Sequence, residues 1–286
     1  MTIDLGGIRI TLIPGGALSL DGGAMFGIIP KPLWTRSTPA DAENRIRLAC
    51  NCVLIETDGP TARRALIETG HGAKYEAKEQ AMYAIDVQHW LLHGLRAAGC
   101  RPEDIDDVIL SHLHFDHAGG LTHRADADET LHRFFPRATV HVQRREFDDA
   151  RANFGIMTST YREENYTPID AADAWRLLDG DVEIIPGVRA RLTPGHTRGH
   201  QSVLIEGRDR TAVFVGDVLP TAAHAGAAYN MAYDVLPLDN RDSKRALLAA
   251  AAERDWLLIL DHEPRNPLVR VRPERRWFVL EPVSAV

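Results

Sequence analysis

The chain is read from Ser111-His112-Leu113-His114-Phe115-Asp116-His117-Ala118-Gly119-Gly120. An apolar run, Asp107-Val108-Ile109-Leu110, precedes it and has the length of a buried strand. The Gly119-Gly120 pair lets the backbone turn sharply at the far end. Extended backbone leaving a strand sends residues two apart to the same side, so His112 and His114 project together. Asp116 and His117 then fall on the turn, close enough to serve a second ion. Four potential ligands in so short a span, directly after a strand, predict a metal site.

Composition narrows the setting. The 286 residues are 44% hydrophobic and 26% charged, with a net charge of −7, which suits a globular fold with a sizeable core. Such mild acidity, with no block of Lys or Arg, argues against nucleic acid as a partner. No apolar run approaches the roughly 20 residues that span a bilayer, so no membrane association is expected. The N-terminus lacks a basic stretch followed by an apolar one, and the three cysteines (Cys50, Cys52 and Cys100) form no disulfide framework. Both features predict a cytoplasmic protein with reduced thiols.

Outward from the motif, alternation predicts a first strand over residues 8–13 that stops at Pro14-Gly15-Gly16. Residues 24–34 are apolar but broken by Gly27, Pro30 and Pro32, which predicts a loop. That loop either packs over the core or walls a pocket, and Met25, Phe26 and Trp34 are its candidate substrate contacts. Further strands are expected at 46–56, 65–68, 138–143, 201–206, 211–215 and 256–260, with hairpins at 182–192 and 269–279. Helical periodicity covers residues 84–98 and 242–253, and a polar helix fits 144–152. His89 and His93, four apart with no third ligand nearby, read as surface residues, and His141 as packed within its strand. Tyr161 and Tyr166 either face a cleft or anchor a helix. No repeat or linker composition divides residues 1–286, so one domain is expected.

The remaining candidate ligands also follow strands. His196 stands in Thr193-Pro194-Gly195-His196-Thr197-Arg198-Gly199-His200, Asp217 in Gly216-Asp217, and His262 after Leu260-Asp261. From about residue 45 onward, these four motifs in this order resemble the metallo-β-lactamase superfamily, in its dinuclear metallohydrolase branch. The resemblance implies an αβ/βα four-layer sandwich of two mixed sheets flanked by helices. It implies that His112, His114 and His196 hold one divalent ion, that Asp116, His117 and His262 hold a second, and that Asp217 bridges them. Zn²⁺ is the first expectation, with Mn, Fe or Co also suited to such ligands. Asp116 and Asp217 are the candidate catalytic residues, acting beside a hydroxide shared by two ions ~3.5–4 Å apart. His200 and Glu68 are expected behind the ligands, Glu68 standing where the family commonly has Asp.

Within the superfamily, Asp217 stands where the commonest zinc β-lactamases have Cys, and the segment after His262 is too short for the helical domain of a glyoxalase II. The resemblance therefore points to quorum-quenching N-acyl homoserine lactonases and methyl parathion hydrolases. The expected reaction is hydrolysis of a small ester, foremost a lactone. A phosphotriester or aryl-ester hydrolase is the alternative, and a mononuclear iron sulfur dioxygenase is the alternative of another class. The lactonases often carry Tyr three residues after the bridging Asp, where this chain has Pro220. Tyr229, Tyr233 and His224 lie nearby and complete the candidate substrate contacts. The family also makes a homodimer plausible.

Overall fold

A computed structural model describes residues 1–125, 129–157 and 159–283. The described chain folds as two seven-stranded sheets, the first built from residues 2–178 and the second from 182–282, with a small two-stranded sheet of Thr122–Arg124 and Leu131–Arg133 beside them. The first takes its strands in spatial order from Thr2–Asp4, Ile8–Asp21, Arg45–Thr57, Arg64–Ile67, Asp107–Ile109, Thr139–Gln143 and Trp175–Leu178. The second runs in sequence order through Val182–Ile185, Val188–Leu192, Gln201–Glu206, Thr211–Phe214, Leu257–Ile259, Leu268–Glu274 and Trp277–Pro282.

Burial explains this stacking. Ile10, Val53, Ile55, Ile67 and Ile109 of the first sheet meet Val188, Val203, Ile205, Phe214 and Ile259 of the second in one apolar layer. The outer face of the first sheet is covered by a cluster that includes Leu91 and Leu95 of helix Leu91–Ala97. Leu247, Leu248 and Ala251 of helix Pro237–Arg254 cover the second. Each sheet hides one face against its twin and the other beneath helices, the four-layer arrangement expected.

The central strands are parallel: Arg64–Ile67 beside Asp107–Ile109 in the first sheet, and Thr211–Phe214 beside Leu257–Ile259 in the second. Their C-terminal ends lead into Glu68, His112, Asp217 and His262. Open α/β sheets characteristically place ligand sites at such ends.

Three local expectations are corrected. The first long strand does not stop at Pro14-Gly15-Gly16 but runs from Ile8 to Asp21, with a bulge between Pro14 and Ala17. The short strand Thr2–Asp4 pairs only with Arg9–Thr11, so Pro14 lies where its strand is an edge and lacks nothing by having no N–H. Residues 24–34 are not irregular: Gly22–Phe26 and Lys31–Trp34 form short helices on either side of Gly27, whose φ is +53°. Pro32 is compatible with helix there because it sits in the first turn. The helix expected over 84–98 begins only at Leu91. Ala84 adopts a left-handed conformation, and the Asp86 carboxylate accepts from the Gln88 N–H, a local turn that competes with helix.

The bulge reaches the ligand loop through Gly70. This residue, at φ +65°, packs directly on the Gly15 carbonyl, and the N–H of Gly120 donates to the Gly70 carbonyl. Gly70→Ala would place a methyl group against the Gly15 carbonyl in an unfavourable backbone region. A loss of about 2 kcal/mol or more is expected in denaturant unfolding. Gly155→Ala, with open space around it, should stay within about 0.5 kcal/mol.

Candidate dinuclear metal site

Leaving strand Asp107–Ile109, the chain passes through His112 and His114 and then forms a single helical turn, Phe115–Ala118, carrying Asp116 and His117. The Thr69 hydroxyl donates to the His117 carbonyl at 2.6 Å, fixing that turn to the segment after strand Arg64–Ile67. Glu68, a non-glycine residue at φ +62°, accepts the Ser111 N–H at 2.7 Å. Glu68 therefore clamps the start of the ligand loop, and its second oxygen lies 3.5 Å from His117 Nδ1.

Two groups of potential metal ligands result. His112, His114 and His196 form the first, with His114 Nδ1 3.0 Å from His196 Nε2. His117, Asp217, Asp261 and His262 form the second, each offering an atom within 4.8 Å of the others. Asp217 lies between the groups: one oxygen is 3.2 Å from His196 Nε2, the other 3.1 Å from His262 Nε2. Asp116 approaches from the same side, with oxygens 3.8 Å from His117 Nε2 and 3.6 Å from His262 Nε2. All seven sequence-predicted ligands thus converge.

The backs of the imidazoles are occupied. Ser111 Oγ lies 2.9 Å from His112 Nδ1, Asp234 Oδ1 3.0 Å from His196 Nδ1, and Asp261 Oδ2 3.0 Å from His117 Nδ1. His262 Nδ1 lies 2.7 Å from the Ala49 carbonyl. These partners turn four Nε2 atoms inward, as ligand histidines are usually held, whereas His114 presents Nδ1. His200 links the two sides: its Nε2 accepts the Asp217 N–H at 3.0 Å, and its Nδ1 is 3.1 Å from the Thr193 carbonyl. Burial pushes His200 down to about 3, so it remains a neutral support.

The chemistry of this donor set fits cations. His112 Nε2 is buried without a hydrogen-bond partner among the described residues, and Asp217 Oδ1 has only the His262 imidazole at 3.1 Å. Leaving such an atom unpaired costs about 1–3 kcal/mol. Burial, reinforced by the neighbouring imidazoles, holds His112 and His114 well below the ordinary histidine value, in the neutral form that binds metal. Burial also opposes charge on His117 and Asp217, but each is outweighed by its opposite neighbours. His117 is raised by Asp116 and Asp217, while Asp217 is lowered by His262 and His196. Cations placed between the groups would take the role those protons play. His112, His114 and His196 would hold one, His117, His262 and Asp116 the other, with Asp217 shared.

An open cavity ends on His114, Asp116, His196, Asp217 and His262. Its other walls include Leu20, Met25, Phe115, Tyr161, Met231 and Tyr233. Of the expected substrate contacts, Met25 and Tyr233 line this cavity. Phe26, Trp34, His224 and Tyr229 do not; they form the packing behind it. Phe26 stacks on Trp34 at 5.1 Å and on His224 at 4.6 Å, with the Tyr229 ring edge-on at 6.2 Å. His224 is fully buried, Nδ1 2.7 Å from Thr221 Oγ1 and Nε2 2.9 Å from the Met25 carbonyl. It braces Met25 instead of facing the cavity. Lys244 Nζ donates to the carbonyls of His224, Gly226 and Tyr229 and anchors the same loop.

Sequence reading assigned no role to Asp261, Asp234 or Glu146. Asp261 carried a faint signal, an acidic residue adjoining a ligand histidine at a strand end. Asp234 lies 38 residues from His196, and no spacing rule connects them. Because Asp261 orients His117, Asp261→Asn should weaken binding of one of two ions about 10- to 100-fold, measured by chelator competition.

The comparisons with known proteins agree with this geometry. An N-acyl homoserine lactonase of Bacillus cereus is 30% identical over 210 residues, covering 69% of this chain and 70% of that protein. A probable metal-dependent hydrolase from Staphylococcus aureus superposes with a TM-score of 0.86 at 30% identity, covering 99% of this chain and 100% of its own. The dizinc quorum-quenching lactonase AidC, at 19% identity, shares the fold with a TM-score of 0.80, covering 100% of this chain and 98% of its own. The sequence model of the metallo-beta-lactamase superfamily matches residues 45–262, a span that contains all seven converging side chains. The chain therefore belongs to the metallo-beta-lactamase superfamily, as one of its metallo-hydrolases.

Proposed function

We propose that this protein hydrolyses a lactone bearing an apolar acyl substituent, of the N-acyl homoserine lactone type, with two divalent ions, Zn²⁺ foremost. The reading rests on one juxtaposition: an apolar cavity whose floor is the paired ligand set. The lactonase from Bacillus cereus supports it as a relative. When bound, two such ions polarise a carbonyl oxygen and activate water at neutral pH.

The chain supplies the remainder. Leu20, Met25, Phe115 and Met231 offer an acyl chain an apolar surface, which favours burial by about 25 cal/mol per Å². Tyr233 sits on the wall with its phenol pushed up to about 12 by burial, so it stays a neutral O–H donor for a substrate carbonyl. Asp116, largely buried yet on the cavity floor, is placed to orient the attacking water through a carboxylate oxygen and to return its proton to the leaving alkoxide. Neither Cys50 nor Cys52, the cysteines nearest the ligand group, competes as nucleophile: burial raises the Cys50 thiol to about 11 and Cys52 well above its ordinary value.

A substrate panel tests the reading. The zinc-loaded protein should open N-hexanoyl or N-decanoyl homoserine lactone with kcat/KM at least about tenfold above paraoxon and p-nitrophenyl acetate. Asp116→Asn should lower kcat on the lactone by about 10²-fold or more while KM changes little. Preferential turnover of the phosphotriester, or no lactone opening, contradicts it.

A further inference from the structure

Glu146 stands in the first turn of helix Arg144–Arg151, a helix that is otherwise largely polar, yet its side chain is 0% exposed. Its carboxylate accepts three hydrogen bonds from three separate segments. Oε1 takes the Leu113 N–H at 3.0 Å and the Tyr161 hydroxyl at 3.0 Å, and Oε2 takes the Thr197 hydroxyl at 2.5 Å. Leu113 lies between His112 and His114, and Thr197 directly follows His196. One buried side chain thus holds both loops that carry the three-histidine group.

Two further observations limit the movement of this strap. The backbone at Gly199 packs against Glu146 so closely that a Cβ there would overlap the Glu146 backbone. Tyr161 brings its ring to 5.0 Å from the His114 ring, where it also lines the cavity. A carboxylate buried for stability alone needs its oxygens satisfied by any donors. Here the donors come from the two ligand loops and the cavity wall. We propose that Glu146 is a positioning residue for the three-histidine ion, setting the separation of the His112–His114 loop from the His196 loop. It touches neither ion nor substrate.

The proposal predicts a selective effect. In the zinc-loaded chain, Thr197→Val keeps the side-chain size but cuts the bond to the His196 loop and leaves Glu146 Oε2 unpaired. Chelator competition should then show one ion bound about tenfold or more weakly and the other within about twofold. Replacing zinc by Co²⁺ should show a changed visible absorption for that ion. Asp261→Asn acts from the other side and should weaken the other ion, so the double variant should weaken both. Glu146→Gln can still accept from Leu113 and Tyr161 and donate to Thr197, and it should keep both affinities within about threefold. Glu146→Ala should lose the three-histidine ion; should it fail to fold, Thr197→Val decides. The proposal is overturned if Thr197→Val lowers the melting temperature but leaves both affinities unchanged, or weakens the same ion as Asp261→Asn.

Discussion

Asp217 fixes the rest of this molecule, its two oxygens 3.2 Å from His196 Nε2 and 3.1 Å from His262 Nε2. A buried carboxylate so placed ties together side chains whose loops are distant in sequence. Two of the imidazoles in its cluster, His112 and His114, resist protonation. Such a cluster is costly to bury without cations, because His112 Nε2 has no hydrogen-bond partner among the described residues and the carboxylates crowd one another. The surrounding fold must therefore hold it together, and each ligand loop has its own restraint. Glu68 and Thr69 fix the first loop, His200 the backbone of Asp217, Asp234 the ring of His196, and Ala49 the ring of His262.

The two-sheet layout makes such convergence possible. Parallel central strands in both sheets end at one edge, and the ligands follow those ends on short connections. The cavity above them owes its apolar wall to residues that precede the superfamily match, Leu20 and Met25, and to the loop carrying Met231 and Tyr233. That loop is held by Lys244, a cation buried against three carbonyls. Apart from Phe115, which sits between His114 and Asp116, these wall residues and the candidate metal ligands come from different parts of the chain.

Much of this is legible in the amino-acid sequence. His112-x-His114-x-Asp116-His117 could be read because its ligands are neighbours in sequence and follow an apolar strand. Asp217 and His262 could be read through motif order. The strand through Pro14-Gly15-Gly16 could not, because turn residues mark a break in local sequence whereas a neighbouring strand and a bulge decide otherwise. Phe26 and Trp34 belong to an apolar segment far from the ligands in sequence, and His224 follows Asp217 closely. Which of them faces a cavity and which packs behind it depends on long-range stacking that no spacing encodes. Glu146 and Asp234 were hidden for the same reason: on paper they are ordinary acidic residues of a helix and a loop.

On the proposed function, two cations share Asp217 at this sheet edge. Anomalous diffraction at the zinc absorption edge, from crystals of protein purified with zinc, tests it most directly. Two peaks about 3.5–4 Å apart are expected, one among His112, His114 and His196 and one among Asp116, His117 and His262, with Asp217 reaching both. A single peak under saturating zinc, with Asp217 bound to one side only, would contradict the account.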